Sequence, residues 1–131
     1  MKFTIPGKPV AKQSFRFTKS GRKYKDAKVT NYENLVRFYA DSVFGHPLEG
    51  PIEVTLVAYW PSKKPDRKKH PRPAELKTTK PDADNISKAV LDGLNGIAFR
   101  DDAQIVRLAV EKWHAAQGDA PRVEVEIGSV A

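Results

Sequence analysis

Cysteine is absent from the chain, which removes disulfides, thiolate zinc sites and thiol nucleophiles from consideration and gives an oxidising compartment no support. Long apolar runs are missing as well. The opening Met1-Lys2-Phe3-Thr4-Ile5-Pro6 holds no sustained hydrophobic stretch, and nothing downstream approaches the roughly 20 apolar residues of a membrane span. A cytoplasmic protein is the expectation. Histidine is scarce: His46, His70 and His114 are scattered, two of them before prolines, which suits loop positions better than metal coordination. Acidic residues are the minority charge, 16 against 23 basic for a formal net charge of +7, so any place where carboxylates gather is informative. What the chain does have is enough for one core: 40% hydrophobic content over 131 residues fits a single domain, 1–131.

The positive charge is clustered. Residues 8–28 carry Lys8, Lys12, Arg16, Lys19, Arg22, Lys23, Lys25 and Lys28 against Asp26 alone. Residues 62–73 carry Lys63, Lys64, Arg67, Lys68, Lys69 and Arg72 against Asp66 alone. Such clusters neutralise phosphates and release counterions, an electrostatic attraction with little sequence information in it; a solvated loop is the plainer account of either one. Lys8, Lys12, Arg16, Arg22, Lys23, Lys68, Lys69 and Lys80 are the candidate DNA contacts. Phe15, Phe17 and Tyr24 interleave with the first cluster, where they either stack on exposed bases or pin the loop to the core.

Against that background stands Lys80-Pro81-Asp82-Ala83-Asp84-Asn85-Ile86-Ser87-Lys88, followed by Arg100-Asp101-Asp102. Pro81 lacks an N–H and biases Lys80 toward extended geometry, so Asp82-x-Asp84 is expected where an extended approach turns into a helix. An extended pair two residues apart points both carboxylates the same way. Like charges held together repel unless a cation lies between them, and hard oxygen ligands suit Mg²⁺ or Mn²⁺. The competing account is helix capping by either aspartate. Lys88 falls one turn beyond Asp84, which allows either an ammonium aimed at a scissile phosphate or an ordinary i, i+4 contact; Asp92 continues the same row and favours a salt-bridge ladder.

These residues resemble the RusA family of Holliday-junction resolvases. The family signature is Asp-x-Asp-Asn, a lysine four residues after the second Asp, and a later Asp-Asp-x-Gln, present here as Asp82, Asp84, Asn85, Lys88, Asp101, Asp102 and Gln104. The basic run Gly7-Lys8-Pro9-Val10-Ala11-Lys12-Gln13-Ser14-Phe15-Arg16 is similar to the family's opening segment. The resemblance implies that Asp82, Asp84 and Asp102 bind magnesium, that Lys88 assists phosphodiester cleavage, and that the enzyme works as a homodimer. Asn85, Asp101 and Gln104 would support the ligands from behind. Spacing alone leaves either acid of the Asp101-Asp102 pair as the ligand, and only the family pattern selects Asp102.

Phe3 and Ile5 predict a first strand. Thr30 and Glu33 form a capping box for a helix carrying Tyr32, Val36, Tyr39 and Val43, ended by Gly45 and Pro47. Ile52, Val54, Leu56, Ala58 and Trp60 alternate in a second strand; Ile86, Val90, Leu91, Leu94 and Ile97 give a second helix with Gly96 as its stop. Val106, Leu108 and Val110, then Val123, Val125 and Ile127, predict two further strands joined by a hairpin-like Gln117-Gly118-Asp119-Ala120-Pro121. The fold class is α+β, in the order β-α-β-α-β-β: a four-stranded mixed or antiparallel sheet with both helices on one face.

The functional expectation is a magnesium-dependent endodeoxyribonuclease resolving four-way DNA junctions in recombination and repair. A non-catalytic basic DNA-binding protein, or a magnesium-dependent nuclease indifferent to junctions, remains the alternative. A junction is approximately two-fold symmetric and needs two matched cuts, whereas one chain carries one acidic constellation, so two copies are expected.

Overall fold

The computed structural model describes the backbone of residues 1–12, 16, 17, 23, 24 and 26–130, and the side chains of 1–12 and 26–130. In chain order the elements are β1 (Lys2–Pro6), β2 (Arg16–Phe17), β3 (Lys23–Tyr24), α1 (Ala27–Asp41), β4 (Ile52–Trp60), β5 (Glu75–Leu76), α2 (Ala83–Leu94), a 3-10 turn (Asp102–Gln104), β6 (Ile105–His114) and β7 (Arg122–Ser129).

The architecture is α+β with two helices, but the main sheet has five strands rather than four, ordered β1-β7-β4-β6-β5. The additional strand, β5, is two residues long, too short for alternation to reveal. β2 and β3 pair separately. The expected hairpin between β6 and β7 does not form: β4 lies between them, parallel to β6 and antiparallel to β7. β4 buries Ile52, Val54, Leu56, Ala58 and Trp60, and a strand with that inner face gains most from neighbours on both sides. Its parallel partner then requires a crossover, which α2 supplies.

One face of the sheet is covered. Register sets Val54 beside Ile127, Leu56 beside Val125 and Ile5 beside Val123. These six join Tyr32, Val36 and Ala40 of α1 and Ile86, Val90 and Leu94 of α2 in one core. The helices approach closely at Gly93, where an added Cβ would stand 2.7 Å from Val36 Cβ. α1 starts earlier than the Thr30 box predicts. Asp26 is its cap, accepting from the Lys28 N–H at 2.8 Å, and the added turn buries Val29. α2 ends as expected, with Asn95 as C-cap and Gly96 at φ 86°, a left-handed conformation that glycine adopts without penalty.

β6 departs from the expected burial. Val106 and Leu108 are 57% and 45% exposed. The ladder with β4 slips at Ile52/Glu53, leaving Val106 as an extra residue, and β5 pairs only with Trp113 and His114. Among the described residues, the outer edge of β6 from Ile105 to Glu111 has no strand neighbour.

Candidate active site

Asp82 occupies the N-cap of α2 with extended backbone, φ −70° and ψ 149°, yet its side chain makes no capping hydrogen bond. Both carboxylate oxygens face Lys80 Nζ instead, at 2.9 and 3.0 Å, and that ammonium holds the carboxyl below its usual range. Capping therefore does not account for Asp82. The extended pair does not form as predicted, because the helix starts at Ala83 and takes Asp84 into its first turn. Asp84 is largely exposed and lies 3.8 Å from Lys88, a contact worth a few tenths of a kcal/mol. The ladder stops there. Asp92 is taken by Lys12, whose ammonium bonds its carboxylate and is held charged to higher pH by that bond. The Lys12 N–H also donates to Asn85 O at 2.9 Å, so the first basic segment is tied to α2 at two points.

The Asp101-Asp102 pair divides into unlike members. Asp101 caps the 3-10 turn, accepting from the Ala103 N–H at 3.0 Å. That N–H, followed by a hydrogen bond with the Asp102 carboxyl, pulls its pKa down. Asp102 is pushed up, first by its bond to the Asp101 carboxylate, then by desolvation and by the negative charges of Asp101 and Asp92. Gln104 fixes the turn. Its Oε1 accepts from the Arg100 and Asp101 N–H groups at 2.8 and 3.0 Å, while its Nε2 donates to Leu48 O and Gly50 O, each at 2.9 Å. Phe99, fully buried just before the turn, adds an anchor of about 2 kcal/mol.

These two acidic groups do not meet in the folded chain. Lys112 of β6 donates its ammonium to Pro81 O at 2.7 Å and Thr79 O at 2.8 Å, which places the start of α2 beside the far end of β6. Asp102 precedes the near end. From Ile105 to Lys112 the strand advances about 23 Å, and α2 spans about 18 Å. Asp102 thus lies toward the C-terminal end of α2, within the field of Asp92, while Asp82 and Asp84 stand at the other end. Among the described residues no three His, Asp or Glu side chains are grouped to hold a metal ion. The donors suit Mg²⁺ chemically, but their placement within the one chain does not.

A basic cleft of about 490 Å³ is lined by Lys8, Lys28, Lys77 and Lys80, with Asp26, Trp60 and Pro81, the residue before Asp82, also in its lining. Lys77 Nζ lies 5.3 Å from the Trp60 ring centroid. Its pKa is lowered by burial and then by Lys112, Lys8 and Lys63. Lys28 and Lys77 were not among the predicted contacts, although Lys28 belongs to the first charge cluster. Lys68 and Lys69 are exposed on a loop clasped by Gln117, whose Oε1 accepts from the Arg67 and Arg72 N–H groups at 3.0 and 3.1 Å and whose Nε2 donates to Arg67 O at 2.9 Å. Nothing in the sequence marked Gln117. The side chains of Arg16, Arg22, Lys23, Phe15, Phe17 and Tyr24 lie outside the described residues. No helix among the described residues is long and apolar enough to cross a membrane.

A relative from Bacillus subtilis strain 168, the uncharacterized protein YqaN, is 34% identical over 141 aligned residues that cover 100% of this chain and 97% of that protein. The family model for the endodeoxyribonuclease RusA matches residues 6–128. With nearly the whole fold inside that match, the two helices and the sheet included, the chain belongs to the RusA endodeoxyribonuclease family.

Proposed function

We propose that this protein is a magnesium-dependent endodeoxyribonuclease that resolves four-way DNA junctions in recombination and repair, hydrolysing one phosphodiester in each of two opposed strands as a homodimer. The observation that carries the reading is Asp82: an exposed carboxylate at a helix N-cap that leaves the cap unmade, bonded to Lys80 and directly after Pro81, both of which line a lysine-rich cleft. A structural aspartate would have bonded the free N–H groups of the first turn.

Asp82 and Asp84 of one chain with Asp102 of the second chain of the dimer would be the metal ligands of this reading, since the three do not meet within one chain, with Mn²⁺ an acceptable substitute for Mg²⁺. Such an ion, when bound, lowers the pKa of a water and polarises a phosphoryl oxygen. The chain's own residues do the rest. Lys8, Lys28, Lys77 and Lys80 seat backbone phosphates of the incoming strand in the cleft. Lys88, exposed and only loosely paired with Asp84, neutralises the charge that builds at the phosphorus or leaving oxygen. Asn85 and Gln104 act from behind the ligands, Gln104 by holding the turn that presents Asp102.

The test is a synthetic four-way junction, a linear duplex and a hairpin RNA, each with magnesium or chelator, with cleavage positions mapped. Paired, symmetric cuts in the junction alone, dependent on metal, are expected. Equal cutting of duplex would make the protein a nuclease without junction preference, and binding without cleavage would make it a DNA-binding protein.

A further inference from the structure

We infer that Lys112 is a positioning residue for the cleavage reaction: reaching from β6, its ammonium fixes the two carbonyls that lead into Asp82 and so sets where that carboxylate stands. This rests on the reading of Asp82 as a group that acts in cleavage.

The place of Lys112 in its strand calls for an apolar residue. Register sets Leu108 beside Val54, Val110 beside Leu56 and Lys112 beside Ala58, and Val54, Leu56 and Ala58 all belong to the buried core. A half-buried lysine on that face loses hydration of its ammonium unless polar groups replace the water. Its stem can follow the apolar layer while the head reaches past it. The head meets Thr79 O at 2.8 Å and Pro81 O at 2.7 Å, 33 and 31 residues away in the chain. Three N–H donors on one nitrogen let a single lysine serve both.

Those two carbonyls are the handles of the segment. Pro81 has no N–H, so its carbonyl is the one main-chain group by which it can be held. Among the described residues no other hydrogen bond reaches the backbone of residues 78–81. Before the segment, the Lys77 N–H donates to the Lys112 carbonyl at 2.9 Å; after it, Asp82 O accepts from the Asn85 and Ile86 N–H groups at 3.1 and 3.3 Å. Lys112 thus grips the approach to α2 with its main chain at one end and its side chain at the other. Asp82 does not anchor itself, since its side chain makes no cap bond and its partner Lys80 is exposed and belongs to the same segment. The charge of Lys112 also reaches the Asp82 carboxylate, adding to the larger effect of Lys80. With its ammonium committed to carbonyls, Lys112 is a strut rather than a phosphate contact.

Lys112→Met keeps the length of the stem and removes the donors, whereas Lys112→Arg keeps donors for both carbonyls. Lys112→Met should slow single-turnover junction cleavage at saturating protein by about tenfold to a hundredfold, the cost of a displaced reacting group, with junction affinity in chelator unchanged. Lys112→Arg should recover part of the lost rate. Hydrogen exchange reads the same event without activity. The Asn85 and Ile86 amides should exchange faster in Lys112→Met, while the Asn95 amide, bonded to Leu91 O at the other end of α2, keeps its protection. Val125→Ala, a truncation in the buried core of β7, is the control for general destabilisation and should cleave at the wild-type rate below its melting transition. A wild-type rate in Lys112→Met overturns the inference. So does a loss of affinity in place of rate, which would make Lys112 a DNA contact, or a loss of protection along all of α2 with no recovery in Lys112→Arg, which would make it a general structural residue. A wild-type protein that cuts no junction overturns the proposed function instead, with exchange at Asn85 and Ile86 still deciding whether Lys112 holds the segment.

Discussion

At the scale of single residues, the acids were legible because they stand out in a chain of net charge +7, but their division of labour was not. Asp101 and Asp102 are indistinguishable by spacing; the Ala103 N–H separates them, since it occupies Asp101 and leaves Asp102 without a capping duty. Asp82→Asn, Asp84→Asn or Asp102→Asn should each abolish most junction cleavage while binding in chelator persists or tightens, because phosphate repulsion falls. Asp101→Asn should retain much of the activity and lower the melting temperature instead. The sign of its pH dependence follows from the depressed pKa. Stability from Asp101 is present above the ordinary aspartate range and is lost as pH falls through the lower folded value, so the melting difference between wild type and Asp101→Asn should shrink in acid. Lys88→Ala should slow cleavage about a hundredfold or more with binding and melting temperature unchanged. A clear loss of melting temperature would make Lys88 structural.

Among the elements, the helices and long strands were readable from periodicity, whereas the order of the strands was not. A strand's pattern says which face it buries and nothing about which neighbour it takes; β6 and β7, close in sequence, accept β4 between them. The loop clasps were also hidden. Gln104 and Gln117 act on backbone 56 and 50 residues away, and an amide in a sequence does not announce such partners. Gln117→Ala should loosen the loop bearing Lys68 and Lys69, weakening junction affinity while leaving the cleavage chemistry unchanged, as single-turnover rates at saturating protein would show. Gly93→Ala adds a side chain 2.7 Å from Val36 Cβ and 3.0 Å from the Glu33 carbonyl. Its gain in helix propensity, about 1 kcal/mol, is smaller than the overpacking penalty of about 1–3 kcal/mol. Denaturant melts should show net destabilisation.

Across the whole molecule, the cleft, the clasped loop and the acidic motif form a cationic surface around exposed carboxylates, and DNA affinity should depend steeply on salt. Lys77→Ala should reduce the slope of log affinity against log salt by about 1; an unchanged slope would remove that lysine from the phosphate contacts. Mixed dimers of wild-type and Asp84→Asn chains should nick one junction strand and leave its opposite intact. The topology also has a consequence for biosynthesis. β7 follows both β1 and β4 in the chain, yet it sits between them in the sheet, and the Met1 nitrogen donates to Ile127 O. While a ribosome is still making residues 122–129, β1 and β4 each lack the neighbour they share, and their apolar faces have no finished sheet to join. The sheet therefore cannot close until residues 122–129 have emerged, and a nascent chain stalled before β7 should leave apolar surface open to chaperones.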